Sequence, residues 1–142
     1  MSVSWLADMR KMHEKFGVHE SVDDMDKEKL KAFYKFRIKC IEEELDELKD
    51  AKTPEAAADA IIDIAVFTIG MLDCFNVNGT AAWDEVLRAN MAKERGNNKN
   101  RPNKYGLPDL IKPKDWKGPD YSSISTGFLK EIFTVDTIKK PV

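Results

Sequence analysis

The stretch from Ala60 to Leu72 constrains the fold most. Ala60-Ile61-Ile62-Asp63-Ile64-Ala65-Val66-Phe67 is apolar on every side of a helix, which predicts a buried one. The run is too short to span a bilayer, so the burial it asks for is that of a protein core. Asp63 nevertheless sits in its middle, with Asp59 one turn earlier on the same face. A carboxylate buried without a partner costs several kcal/mol, so Asp63 must be paired, protonated or bound to a metal. Thr53-Pro54-Glu55 supplies a hydroxyl cap, a first-position proline and an early acid, so this helix is predicted from Pro54 to about Phe75.

Three further helices follow from spacing. Leu6, Met9, Met12 and Phe16 recur at intervals of three and four, predicting a helix from about Ser4 to Phe16, stopped by Gly17. A polar stretch from Glu20 to Asp26 leads into a long helix over roughly Lys27 to Ala51. Asn76-Val77-Asn78-Gly79 reads as a turn, Thr80 as the cap of the last helix, and Gly96 as its end. No period-2 stretch of any length precedes residue 120, so the fold class is all-α. The 142 residues suit one domain, with a four-helix core over 1–96 and an irregular segment over 97–142. Within that segment, Ile124 to Val135 is open to two readings, a short helix or a docking arm.

Net charge is −2, too low for a basic nucleic-acid binder, and no nucleic-acid or membrane partner is expected. That average hides an asymmetry. Residues 1–95 hold 14 Lys/Arg against 20 Asp/Glu, whereas residues 96–118 hold six basic residues (Lys99, Arg101, Lys104, Lys112, Lys114, Lys117) against Asp109 and Asp115. An acidic helical body is followed by a basic loop. Asp8, Arg10 and Lys11 interrupt any early apolar stretch, so no cleavable signal peptide is expected. Two cysteines, Cys40 and Cys74, make no disulfide framework and point to a reducing cytoplasm.

The long second helix carries the chemistry. Leu30, Tyr34, Ile41, Leu45 and Leu48 fall on one apolar face, and Glu44 falls within it. Glu47 lies at its edge beside Phe33 and Cys40, Glu43 further round, and Arg37 in the stripe two turns before Glu44. A run of acids is ordinarily a solvated helix surface, but such a surface does not intrude on an apolar stripe. Either Asp63 pairs with Arg37, or Glu44, Glu47 and Asp63 meet between two packed helices with Glu43 and Asp59 nearby. In the second case a divalent cation must sit among them, because carboxylates repel one another at low dielectric. The donors are all oxygen, which suits Mg²⁺ or Mn²⁺. His13 and His19 lack the spacing of a zinc or di-iron helix pair and are read as lining the first helix and its loop. Asn90 and Lys93 on the last helix, with the basic loop, suit phosphate oxygens, and no glycine-rich phosphate cradle is present.

These residues carry a resemblance. Arg37-x5-Glu43-Glu44-x2-Glu47, then Asp59-Ala60-x2-Asp63, then Asn90-Met91-x-Lys93 resembles the MazG and phosphoribosyl-ATP pyrophosphohydrolase superfamily of all-α NTP pyrophosphohydrolases. The segment from Trp83 to Lys93, His13-Glu14-Lys15-Phe16-Gly17 and Lys117-Gly118-Pro119-Asp120 resemble its phage-encoded branch. Ala60 departs from the pattern, standing where the family has an acid, with Asp59 adjacent. The resemblance implies a MazG-like core that cleaves a nucleoside triphosphate to monophosphate and pyrophosphate, with two or three Mg²⁺ (or Mn²⁺) ions per site. It implies Glu44, Glu47 and Asp63 as metal ligands and catalytic residues, with Glu43 and Asp59 supporting them. Glu43 would orient or deprotonate the water, and Lys93 would stabilise the departing pyrophosphate. His13, Arg37, Asn90 and Lys93 would contact substrate. The resemblance further implies a homodimer or homotetramer, and dGTP as the candidate substrate. Phosphoribosyl-ATP hydrolysis, or a non-catalytic nucleotide-binding helical module favoured by Ala60, are the alternatives.

Overall fold

A computed structural model describes residues 4–97, 100 and 105–135. Lys99, Arg101 and Lys104 of the basic loop, and the chain from 136 onward, lie outside the described residues. The elements are α1 (Trp5–Lys15), α2 (Val18–Asp23), α3 (Lys27–Asp50), α4 (Pro54–Cys74), α5 (Gly79–Met91), β1 (Glu94–Gly96), β2 (Asp109–Ile111) and α6 (Leu129–Phe133). Among the described residues the fold is all-α apart from one small ladder.

Local chemistry sets the helix starts. Ser4 accepts from the Ala7 amide at 3.2 Å, Asp26 from the Lys29 amide at 2.8 Å, and Thr53 from the Ala56 amide at 3.1 Å. Each side chain satisfies an amide that the first turn leaves unpaired. At the other end of α4, Asn76 takes the left-handed region at φ 55°, so the expected turn is there.

Contacts divide the chain into two compact units. One comprises the residues up to Gly79 and those from Thr126, the other Thr80–Ser125. In the first, α3 and α4 form a helical hairpin across three connecting residues, and α1 packs on α4. Val22, Leu30, Cys74 and Phe75 form its buried centre. Phe75 is 0% exposed, stacked on Phe33 at 5.4 Å and edge-on to Tyr34 at 5.9 Å.

Four expectations change. The polar stretch after Gly17 begins as a helix: Gly17 turns the chain at φ 69°, and α2 then buries Val22. The last core helix ends at Met91 rather than Gly96, because Glu94–Gly96 pairs antiparallel with Asp109–Ile111. A three-residue strand has too little alternation to show in a period-2 reading. The open segment near the C-terminus resolves to α6, whose Leu129 and Ile132, with Phe128, pack on the Phe75 cluster. Finally, α4 is not buried all round, since Ile61 and Ile62 stand 54% and 53% exposed. One short chain has too few helices to cover every face of an all-apolar one. Among the described residues no helix is long and apolar enough to cross a membrane.

Candidate functional site

The α3–α4 hairpin places Glu47, Asp63 and Asp59 within electrostatic reach of Glu44, although among the described residues no three of these carboxylates hold ligand atoms within 4.8 Å of one another. Glu44 is half-buried and its Oε2 is shielded from solvent with no hydrogen-bond partner. Its carboxyl is held above the ordinary 4.5, first by desolvation, then by Glu47 beside it, then by the charges of Asp63 and Asp59. Glu47 reaches it from the next turn of α3, and the two aspartates act on it from α4. Asp63 is half-buried, Glu47 and Asp59 are exposed, and Glu43 is exposed outside the set that raises Glu44. Ala60, where the family pattern has an acid, is buried in the core. All donors are oxygen, they repel one another, and one buried oxygen is orphaned. That donor set fits a hard divalent cation.

Arg37 does not neutralise Asp63: among the described residues no ion pair joins them. Its Nη2 donates instead to the Phe67 carbonyl at 2.8 Å, and its guanidinium lies 5.1 Å from the Phe67 ring centroid. Gly70 opens the space for it, since a Cβ there would stand 2.6 Å from Nη2. Arg37 Nε is a second buried polar atom without a partner.

Asn90 and Lys93 belong to the second unit, where Asn90 is exposed near the end of α5 and Lys93 follows the helix half-buried. The Lys93 and Lys112 ammoniums lie 5.3 and 4.9 Å from the Trp116 ring centroid. The Trp116 indole donates to the Ala89 carbonyl at 2.7 Å. Arg88 clasps Glu85 at 2.7 Å and donates to the Gly118 carbonyl at 3.1 Å, while Glu85 accepts from the Asp120 amide at 3.0 Å. These bonds hold Lys117-Gly118-Pro119-Asp120 against α5.

His13, expected at the substrate, is buried, and Nδ1 donates to Asp73 Oδ2 at 2.6 Å. His19 donates to the same oxygen from Nε2 at 2.7 Å, and Arg10 Nε lies 3.7 Å from Oδ1.

The sequence model described as phosphoribosyl-ATP pyrophosphohydrolase matches residues 9–90, more than half of the chain. The chain belongs to this family. No curated protein and no solved structure matches it significantly. As a member of the phosphoribosyl-ATP pyrophosphohydrolase family, the chain carries the scaffold of a hydrolase acting on phosphoric anhydrides, in a family that typically depends on divalent metal. The family match runs from α1 into the end of α5. It therefore contains every α3 and α4 carboxylate named above and Asn90, and stops short of Lys93.

Asp73 is a buried polar residue of this family member that helical spacing does not single out. It stands in the apolar last turns of α4, ten residues after Asp63, in Met71-Leu72-Asp73-Cys74-Phe75. A second acid within the same apolar helix was the available signal. Its partners lie sixty and fifty-four positions away in sequence, at no helical spacing.

Proposed function

We propose that the chain is a Mg²⁺-dependent nucleoside triphosphate pyrophosphohydrolase that converts a (d)NTP to the monophosphate and pyrophosphate. The observation that carries this reading is the orphaned Oε2 of Glu44, which feels the charges of Glu47, Asp63 and Asp59, in a member of a pyrophosphohydrolase family. Glu44, Glu47 and Asp63 would hold Mg²⁺ or Mn²⁺, two or three ions per site, with the adjacent Asp59, one turn before Asp63, substituting for the acid missing at Ala60. When bound, such ions polarise phosphate oxygens and acidify water. Glu43, exposed beside Glu44 on α3, orients the attacking water and takes its proton. The water oxygen bonds to the α-phosphorus as the bridge to the β-phosphorus breaks, and pyrophosphate leaves. Lys93 and Asn90 bind phosphate oxygens, and Lys93 offsets the charge that builds on the leaving group. Arg37 keeps the α3–α4 spacing that sets the carboxylates against one another and completes the substrate side, whereas His13, buried and bonded to Asp73, stands back from it.

The substrate is proposed to be a purine deoxynucleotide, dGTP first, on the likeness of Trp83–Lys93 to phage-encoded members. A second reading, phosphoribosyl-ATP, is favoured by the description of the matching family. A third, a binding module without turnover, is favoured by the missing acid at Ala60. The exposed Ile61, Ile62 and Trp5, beside an apolar cavity of about 310 Å³ lined by Trp5, Met9, Ile62, Val66 and Ile69, support a homodimer or homotetramer.

A panel of canonical dNTPs and NTPs plus phosphoribosyl-ATP, read for pyrophosphate release with Mg²⁺, separates the three readings. Monophosphate and pyrophosphate should appear in equal amounts. Glu44→Gln and Asp63→Asn should each lower the rate by about 10²-fold or more while the protein stays folded. Wild-type rates in either variant would refute the site, and turnover of no nucleotide would leave only the binding module.

A further inference from the structure

We propose that His13, His19 and Asp73 form a second cation site, apart from the α3–α4 carboxylates, suited to a borderline transition ion such as Zn²⁺. Three elements build it. His13 stands in the last turns of α1, Gly17 reverses the chain in the left-handed region, and α2 returns His19 beside it. Asp73 comes from the end of α4, the same helix that carries Asp63 at its other half.

One potential ligand atom from each residue lies within 4.8 Å of the other two, the one such group of three among the described residues. The two imidazoles stand edge to face, 85° apart, and aim different ring nitrogens at one carboxylate oxygen. Protons now hold those contacts at 2.6 and 2.7 Å. Bonds of about 2.0–2.1 Å in a tetrahedral zinc site put ligand atoms roughly 3.3 Å apart. Replacing the protons by an ion therefore asks the two His–Asp pairs to open by about 0.6–0.7 Å.

Donor chemistry selects the ion. Two imidazole nitrogens and one carboxylate oxygen match zinc and its neighbours, whereas Mg²⁺ prefers oxygen alone. Asp73 Oδ2 already accepts from both imidazoles, so the three ligand groups face one point. A cavity of about 310 Å³, lined by Arg10, Glu14, His19, Asp23, Asp73 and others, admits the ion from solvent. Glu14 and Asp23 add negative charge there, and three protein ligands leave a position for water or one of these acids. Arg10 opposes the ion by charge, but its side chain is 62% exposed and free to swing out. An ion held here would tie α1, α2 and the end of α4 together.

The test titrates the purified, chelator-treated chain with Co²⁺ under saturating Mg²⁺, reading visible ligand-field bands and Tm. One equivalent of Co²⁺ per chain is expected, displaced by Zn²⁺, with a rise in Tm of several degrees. His19→Ala and Asp73→Asn should abolish the bands, and Glu44→Gln should keep them. His19 is 30% exposed, so its variant is expected to fold even where Asp73→Asn does not. Wild-type protein that binds no Co²⁺ or Zn²⁺, bands that survive His19→Ala, or bands that vanish in Glu44→Gln would each overturn the site. Pyrophosphate release with Mg²⁺ is scored separately, so the failure of one proposal is distinguishable from the failure of the other.

Discussion

Gly70→Ala sets two opposing effects against each other inside the α3–α4 hairpin. In an unconstrained helix interior the change stabilises by about 0.5–1 kcal/mol, because glycine loses more backbone freedom on folding. Here the new Cβ would stand 2.6 Å from Arg37 Nη2, 3.1 Å from Met9 Cε and 3.5 Å from His13 Cε1. Met9 is flexible and yields a few tenths of an ångström. Arg37 cannot yield cheaply, because Nη2 is held at 2.8 Å on the Phe67 carbonyl and its Nε already lacks a partner. Losing a hydrogen bond from a charged donor costs about 1.5–3 kcal/mol, so the net effect is destabilisation of about 1–2 kcal/mol. Urea unfolding at fixed protein concentration reads this difference. The same substitution in an Arg37→Met background removes the clash and should be neutral or stabilising. A stabilising Gly70→Ala in the otherwise native chain, or an equal loss in both backgrounds, would refute the reasoning.

Other outcomes follow from the same packing. Phe75→Ala, at the fully buried centre between Phe33 and Tyr34, should cost about 3–5 kcal/mol in denaturant unfolding. Gly127→Ala should cost about 2 kcal/mol or more by the same measurement, since φ is 53° and a Cβ would collide with the Phe75 and Asn76 carbonyls. Asp73, with its carboxyl depressed below 3.8, contributes stability that is fully present above that value and lost as pH falls through the lower folded-state value. Tm measured from neutral pH downward should therefore show the advantage of wild type over Asp73→Asn shrinking in the acid range. An advantage that stays constant down to the lowest pH would contradict the assignment.

Much of the helical architecture was legible because its signals are local. Thr53 caps α4 as its hydroxyl–proline–acid signal predicts, and Gly17 ends α1 in the left-handed region, while the caps at Ser4 and Asp26 emerge from the structure. Glu44 was legible as a misplaced acid in an apolar stripe, and Asp63 as one in an all-apolar helix. The structure puts both in one electrostatic group. The salt bridge to Arg37, the alternative for Asp63, is not formed, because Gly70 lets Arg37 bond backbone instead. Spacing along α3 shows that Arg37 faces inward but not which acceptor waits there.

What the sequence by itself determined is therefore the set of helices and the carboxylates that intrude on their apolar faces. Both follow from side chains three and four residues apart, which a 3.6-residue period places without knowledge of the rest of the chain. Tertiary structure alone decided three things. It joined Glu94–Gly96 to Asp109–Ile111, docked Phe128 and α6 on Phe75, and converged His13 and His19 on Asp73. Each is a contact between residues distant along the chain. Its energy depends on what the intervening helices bury, and no local period records it.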